Sequence, residues 1–315
     1  MIYIIRHGDS LYKIAQKYGL TVDEIMRANG LTSDLIIAGE SLFLPLLPAG
    51  VFGVGAVGGA VREIQQVLSF IGFPLRVDGI YGPETANTIY NIQLKYPELA
   101  ADGIYGPYTR TYLQKMVHDD YRIVQDPASV LALVNKTNAL DPSYLPADLT
   151  VPSVPFTIEG PAPQKQMRYI AAAALERLFA KAQAEGINLT GVSAYRSYPR
   201  QAVIFRKEWE ADPETANRVS ARPGESEHQT GLAIDVSGPS AGYALSQSFG
   251  DTEEGQWLAA NAPDFGFIIR FPKGKESVTG YEYEPWHLRY VGEEAARQII
   301  RTGSTLEEYA MGYRT

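Results

Sequence analysis

The sequence predicts a multidomain protein with a small α+β domain, a small all-α domain and a larger α+β domain, in that order. The chain has 315 residues, about twice the length expected of a single domain. An uncharged stretch rich in Gly and Pro, residues 42–60, interrupts it early. The hexapeptide Asp-Gly-Ile-Tyr-Gly-Pro begins at Asp78 and again at Asp102, 24 residues later. This repeat separates a middle segment from what precedes and follows it.

Composition and charge exclude several classes of protein. Hydrophobic residues make up 45% and charged residues 20% of the chain, as in globular proteins. Lys and Arg number 28 against 36 Asp and Glu, a net charge of −8. We therefore expect no nucleic-acid partner and no partner held mainly by charge. Cysteine is absent, which excludes disulfides, thiolate metal sites and a cysteine nucleophile.

The uncharged stretch has about the length of a membrane span. Its prolines and glycines disfavour a helix, so residues 42–60 are predicted to be the end of a strand followed by a flexible connector. No membrane span is expected. The N-terminus shows no features of a signal peptide, so an exported protein would have lost its signal or would use another route.

Residues 1–47 are predicted to fold as strand, helix, helix, strand. Residues 2–5 form a β-prone run, and Asp9 is placed to cap the first helix. Thr21 and Glu24 form a capping box for the second helix. Residues 41–45 then read as the closing strand.

The run HGDSLYKIAQKYGLTVDEIMRANGL, followed by IIAGESLFLP, resembles a LysM module. The features that carry this resemblance are a Gly-Asp-Ser-Leu turn, Asn29 and Leu31 after the second helix, and a terminal Leu-Pro. LysM modules bind glycans that contain N-acetylglucosamine, and the resemblance implies the same here. Helix capping is the alternative role for the turn residues, and one residue can do both. The residues implied at the glycan are Gly8, Asp9, Ser10, Leu11, Leu35 and Ile37.

The middle segment, residues 60–117, follows a predicted linker at residues 48–59. In each repeat Asp-Gly supplies a turn, and Gly-Pro begins a helix with proline at its first position. With VREIQQVLSFIGFP as its first helix, the segment resembles the peptidoglycan-binding helical domain of bacterial wall hydrolases. We assign no ligand contact to it.

The last segment, residues 118–315, is long enough for one substantial α+β core. Apolar residues at helical spacing predict a helix over residues 166–184, which ends before Gly186. The runs LTGVSAY, LAIDV and FIIRF are predicted strands.

Two of the four histidines stand near carboxylates. His228 precedes a strand in which Asp235 faces away from the apolar side, where it needs a partner. Glu284 lies three residues before His287, and a bend at Pro285 would bring both side chains into one pocket. Two histidines and a carboxylate are the donor set of catalytic zinc sites, with the fourth position left to water. The alternative for each histidine is an ordinary hydrogen-bonding role.

The motifs SEHQTGLAID, EPWHLRYVG and SAYRSYPRQ together resemble the VanY-type D-alanyl-D-alanine carboxypeptidases, which are zinc peptidases, across about residues 130–300. The resemblance implies an α+β domain of the hedgehog-like type. It implies Glu284 as general base and acid and Arg196 as the oxyanion donor. Glu282 is a rival base only two residues away, but the family places the acid three residues before the histidine. The zinc ligands that it implies are His228, Asp235 and His287. The substrate contacts that it implies are Ser226, Gln201 and Trp286, for which core packing is the alternative at Trp286.

Together the resemblances imply a zinc-dependent D,D-carboxypeptidase that removes the terminal D-Ala from peptidoglycan stem peptides. Two binding modules would anchor it to the cell wall outside the cell, and nothing in the sequence requires more than a monomer. One alternative is a lytic peptidoglycan endopeptidase, of phage or sporulation type, with the same zinc chemistry. The other is a wall-binding protein whose peptidase domain has lost its activity.

Overall fold

The computed structural model describes residues 1–312. The chain divides into two compact units, Met1–Ile123 and a second that begins at Val124. Each unit has apolar clusters of its own. No helix within residues 1–312 combines the length and the apolar composition that a membrane span requires.

The first unit begins with two short strands and two helices packed on one core. The elements are β1 (Ile2–Ile4), α1 (Leu11–Tyr18), α2 (Val22–Asn29) and β2 (Ser41–Phe43). Strands β1 and β2 pair antiparallel. The buried residues include Leu11, Ile14, Ile25 and Leu44, which are the apolar positions of both helices and of the segment after β2.

The N-cap of α1 differs from the prediction. Ser10 caps the helix, because its side chain accepts a hydrogen bond from the backbone N–H of Lys13 at 3.3 Å. Asp9 instead accepts from the Tyr3 hydroxyl and the Arg6 backbone N–H, both at 2.7 Å. The prediction that Asp9 caps α1 is therefore wrong, and its carboxylate fixes the preceding turn.

The first unit continues with α3 (Gly59–Phe70), α4 (Pro83–Lys95), α5 (Pro107–His118) and β3 (Arg122–Ile123). A glutamine of the helix before each repeated loop holds that loop. Gln65 donates to Asp78 at 3.0 Å and accepts from the Gly79 backbone N–H at 2.7 Å. Gln93 donates in the same way to Asp102 at 3.0 Å. The sequence repeat is thus a repeat of one hydrogen-bonded unit.

The glycine-rich connector is bound along both repeated loops. Phe52 and Tyr105 exchange backbone hydrogen bonds of 2.8 and 2.9 Å, and the Gly58 N–H donates to the Gly79 carbonyl at 2.9 Å. The expectation that residues 48–59 form a flexible connector is therefore wrong, because the loops supply partners for its backbone.

The second unit is built around a four-stranded antiparallel sheet. The strands and helices are β4 (Asn138–Ala139), β5 (Leu149–Thr150), β6 (Met167–Arg168), α6 (Tyr169–Ala184), β7 (Thr190–Ser193), α7 (Tyr198–Ala211), α8 (Pro213–Val219), β8 (Ala233–Ser237), α9 (Glu253–Asn261), β9 (Phe267–Phe271), α10 (Glu276–Thr279), β10 (Glu284–Tyr290), α11 (Glu293–Thr302) and α12 (Leu306–Gly312). The sheet has the order β7, β8, β10, β9. Apolar residues of α6 and of the sheet share one buried cluster.

Helix α6 begins three residues later than predicted. Met167 and Arg168 pair with Thr150 and Leu149 in a short antiparallel ladder, so the helix starts at Tyr169. The extended backbone of those two residues follows from a partner strand nearly twenty residues upstream, which the local apolar spacing does not reveal.

Candidate metal centre and active site

A sharp turn delivers His228 to the start of β8. The residue lies in the 3-10 helix Glu227–Thr230, and Gly231 follows with a φ of 69°. A Cβ at Gly231 would lie 2.9 Å from Leu149, so the turn requires glycine. The His228 Nδ1 lies 2.6 Å from the Ala194 carbonyl oxygen. Nδ1 therefore carries the proton that it donates, and Nε2 is left to face the site.

Strand register brings the second histidine to the carboxylate. In the antiparallel pair of β8 and β10, His287 lies directly opposite Asp235. The two Asp235 oxygens lie 3.0 Å from His287 Nδ1 and 3.3 Å from His228 Nε2. One donor atom from each of the three residues lies within 4.8 Å of the others. We call these three buried residues the His–Asp–His cluster.

Glu284 begins β10 and reaches the same cluster. The pairing of β10 with β9 shifts its register between Glu284 and Leu288, which turns the carboxylate towards the cluster, 3.7 Å from His287 Nδ1. Burial, helped by the charge of Asp235, raises the pKa of Glu284 to about 7, although His287 and Arg196 act in the opposite direction. Such a group exchanges protons readily near neutral pH.

A cavity of about 330 Å³ opens onto the cluster. Of the predicted site residues it is lined by the cluster itself and by Arg196, Ser226, Glu284 and Trp286. The Arg196 guanidinium lies 3.8 Å from Asp235, so a positive group faces the opening beside the three donors.

Gln201 lies behind the cavity wall. Its Oε1 accepts from Arg196 Nη1 at 2.9 Å, and its Nε2 donates to the Ala221 carbonyl at 2.5 Å. The side chain is 1% exposed, and both ends of its amide are occupied by the protein. The structure therefore does not place Gln201 against a substrate, as the sequence predicted, and shows it holding Arg196 instead.

The rival base lies outside the cavity. Glu282 is paired with Arg218 at 3.2 Å on a partly exposed surface. Glu284, two residues further on, is the carboxylate that the strand turns inward.

A second set of buried charges lies beside the cluster and was missed in the sequence. We call it the arginine–glutamate network: Glu227, Arg270, Arg289 and Glu307. Glu227 Oε1 accepts from Arg270 at 2.7 Å and from Arg289 at 2.6 Å, and Arg270 also donates to Glu307 at 2.6 Å. Burial opposes the charge of Glu227, but the two guanidiniums hold its pKa well below the usual range. The sequence does carry a signal of this network. An arginine lies within each of the apolar strands FIIRF and HLRY, where a buried charge requires a partner.

The predicted glycan-binding residues differ in whether their side chains are accessible to a ligand. Residues 8–10 form the turn before α1, and Leu35 and Ile37 are 77% and 59% exposed. Leu11 is only 1% exposed and packs in the core, so the side chain of this one residue is not available to a ligand.

Comparisons with known proteins identify the family of each part of the chain. The profile of the D-alanyl-D-alanine carboxypeptidase family VanY matches residues 164–293, after a LysM domain at 3–45 and a putative peptidoglycan binding domain at 57–113. The putative carboxypeptidase YodJ of Bacillus subtilis is 50% identical over 192 residues, which cover 61% of this chain and 70% of that protein. The chain belongs to the VanY family. The predicted order of the three domains is confirmed, and the chain is a peptidase of this family.

Two further relatives of this VanY-family chain are informative. A D-alanyl-D-alanine carboxypeptidase of Enterococcus faecalis is 39% identical over 145 residues, 43% of this chain and 52% of that protein. The chain thus spans about half the length of the enterococcal relative. The solved structure of LdcB, described as an LD-carboxypeptidase, has a TM-score of 0.59 at 49% identity and covers 61% of this chain and 91% of that one.

Proposed function

We propose that the chain is a zinc-dependent D,D-carboxypeptidase that removes the terminal D-Ala from the pentapeptide stems of peptidoglycan. The observation that carries the proposal is the His–Asp–His cluster, at the base of a cavity and with Glu284 beside it. Membership of the VanY family supports the same reaction class.

The cluster fits zinc in its donor chemistry. Two imidazole nitrogens and one carboxylate oxygen are the ligands of many catalytic zinc sites. His228 already donates through Nδ1 to Ala194, so its Nε2 carries the free lone pair. We propose His228, Asp235 and His287 as the ligands. Zinc bound there would polarise the scissile carbonyl and lower the pKa of a bound water molecule.

The four other predicted site residues that line the cavity each have a proposed role. Glu284 takes a proton from the water molecule that attacks the scissile carbonyl, and it gives a proton to the leaving amine. A carboxyl group with a pKa of about 7 is suited to both transfers. Arg196 donates to the oxygen on which negative charge develops, held in place by Gln201 and by Ser193 at 3.3 Å. Ser226 and Trp286 form the wall against the terminal D-residue.

The binding modules support a location at the cell wall. We propose a LysM glycan-binding module at residues 1–47, a connecting segment at 48–59 that is bound to the repeated loops, a peptidoglycan-binding domain at 60–117 and a hedgehog-like zinc peptidase domain at 118–315. We propose that the protein works as a monomer outside the cell. In the LysM module the glycan would contact the turn at residues 8–10, Leu35 and Ile37.

A second candidate is an L,D-carboxypeptidase, which would remove D-Ala from tetrapeptide stems. The observation that favours it is the similarity to LdcB, at 49% identity over 91% of that chain. The two activities differ in the configuration of the residue before the scissile bond and share the same proposed machinery.

The test is mass spectrometry of purified stem peptides and intact peptidoglycan after incubation with the protein, with and without a chelator. We expect chelator-sensitive release of D-Ala from the pentapeptide, leaving the tetrapeptide intact. Conversion of tetrapeptide to tripeptide would instead establish the L,D activity. New internal amino termini would identify an endopeptidase, and no cleavage of any substrate would favour the binding-protein alternative.

A further inference from the structure

Both ring nitrogens of His287 face a carboxylate. Nδ1 lies 3.0 Å from Asp235 Oδ1, and Nε2 lies 3.6 Å from Glu227 Oε2. Within residues 1–312, neither His287 Nε2 nor Glu227 Oε2 has a hydrogen-bond partner, although both atoms are buried. Two unsatisfied polar atoms that face each other at this distance form a hydrogen bond after a shift of about half an ångström.

We propose that Glu227 is a positioning residue that accepts a hydrogen bond from the Nε2–H of His287. This bond selects the tautomer in which Nδ1 has a free lone pair directed at the metal. The inference rests on the proposed zinc centre, and it assigns a role to Glu227, a residue of the motif SEHQTGLAID for which the resemblance implied none.

The arginine–glutamate network fixes Glu227 for this role. Both arginines bind the same oxygen, Oε1, at 2.6 and 2.7 Å. Arg289 is itself held by the backbone carbonyls of Val130 and Ala132 at 3.0 and 2.8 Å. The carboxylate is therefore tied on one side, and its second oxygen is left pointing at His287.

The other histidine supports the same reading. The outward Nδ1 of His228 donates to the Ala194 carbonyl at 2.6 Å, which fixes that ring in the complementary tautomer. Each histidine of the cluster then has one nitrogen for the metal and one for an acceptor in the protein. A carboxylate acceptor also makes the ring a stronger ligand than a carbonyl does.

The test compares the zinc affinities of Glu227→Gln and Glu307→Gln, measured by competition with a chromophoric chelator. Both variants remove one negative charge from the arginine–glutamate network, but only Glu227 faces His287. A glutamine has one acceptor oxygen and cannot serve the arginines and His287 together. We expect Glu227→Gln to weaken zinc binding about 10- to 100-fold and Glu307→Gln to leave it near the wild-type value.

A spectroscopic readout separates positioning from general loosening. In the cobalt-substituted proteins, we expect the visible absorption bands to shift in Glu227→Gln and to remain as in wild type in Glu307→Gln. Equal zinc affinities for the two variants, or wild-type affinity in Glu227→Gln, would overturn the inference.

If Glu227→Gln does not fold, Glu227→Asp decides the question. It retains the charge that the arginines need and withdraws the carboxylate from His287, so we expect weaker zinc binding with the fold preserved. Wild-type zinc affinity in that variant would refute the role of Glu227. Absence of zinc binding by the wild-type protein would instead refute the proposed function, and the inference with it.

Discussion

Two groups of buried charges meet at His287, and they differ in how completely they are paired. In the arginine–glutamate network, two guanidiniums face two carboxylates within 2.6 to 2.9 Å. In the His–Asp–His cluster, Asp235 faces two imidazoles and Arg196 next to an open cavity, and Glu284 lies beside the cluster. Accordingly the network lowers the pKa of Glu227, whereas the pKa of Glu284 is raised to about 7 and that of His287 to about 9.

This difference indicates that the arginine–glutamate network holds the structure in place, whereas the His–Asp–His cluster is a site for a ligand. Buried charges are costly to hold, and removing one partner of a buried pair is strongly destabilising. The network therefore fixes the strands that carry the cluster. The cluster lines an open cavity and offers three donor atoms within 4.8 Å of one another, a set that a cation would complete. Changes in the cluster or at Glu284 beside it should alter catalysis more than stability, and changes at Arg270 and Glu307 of the network should do the reverse.

The largest expected effect is on catalysis, in Glu284→Gln. We expect kcat to fall about 10²- to 10⁴-fold, because the variant cannot exchange the proton. Zinc should still bind, since Glu284 is not a proposed ligand, and the free energy of unfolding should not decrease. The measurements are D-Ala release, zinc content and urea unfolding.

Glu282→Gln is the matched control, since it removes a glutamate two residues away that pairs with Arg218 outside the cavity. We expect it to retain full activity. Full activity in Glu284→Gln, or loss of activity in Glu282→Gln, would show that Glu284 is not the general base.

The next largest effect is on stability, in Arg270→Met. Removing one partner of a buried ion pair leaves a carboxylate uncompensated, and we expect a loss of about 3–5 kcal/mol in the free energy of unfolding. The double variant Arg270→Met/Glu307→Leu should recover most of this loss, because the remaining pair of Glu227 and Arg289 is again neutral. A double variant less stable than the single one would show that packing, and not charge pairing, holds this region.

The sequence revealed the parts of the site that share a local motif. His228 and Asp235 lie on one short segment, and Glu284 lies 3.7 Å from His287, as the spacing suggested. The sequence did not reveal what pairing across the sheet decides. Glu227 was passed over beside its histidine, because the two arginines that hold it come from β9 and β10.

The fold shows the same division between local and distant causes. The capping box of Thr21 and Glu24 was readable from its spacing and is present in full. The start of α6 and the hydrogen bonds that hold residues 48–59 against the repeated loops could not be predicted. Each depends on backbone partners far along the chain. Local signals compete with such partners and lose where the partners satisfy more hydrogen bonds.

A smaller effect concerns the zinc-free protein above pH 7. Burial alone would lower the pKa of His287, but Asp235 and Glu227 outweigh it and raise the value from 6.5 to about 9. The folded state then binds a proton that the unfolded state has released, so this stabilisation is lost as the pH rises from 7 to 9. Burial of His228 lowers its pKa, so its contribution is complete by about pH 7 and does not interfere.

We expect the free energy of unfolding of the zinc-free protein to fall by about 1–3 kcal/mol between pH 7 and 9. Zinc should abolish this fall, because metal binding requires the deprotonated histidine. Urea unfolding at several pH values, with and without zinc, provides the measurement. Stability that is constant or rising in the zinc-free protein would contradict the pairing of His287 with both carboxylates.

The smallest expected effect tests whether Gln201 acts through Arg196. Gln201 accepts a hydrogen bond from the guanidinium at 2.9 Å and is 1% exposed, and it is not among the residues that line the cavity. Gln201→Leu should therefore lower kcat about tenfold by loosening the oxyanion donor, with less effect than the 10²- to 10³-fold expected of Arg196→Met. In the Arg196→Met background, Gln201→Leu should have no further effect, because nothing remains for it to position. If the two losses in kcat multiply instead, Gln201 acts independently of Arg196. That result would favour the prediction from the sequence that Gln201 contacts the substrate.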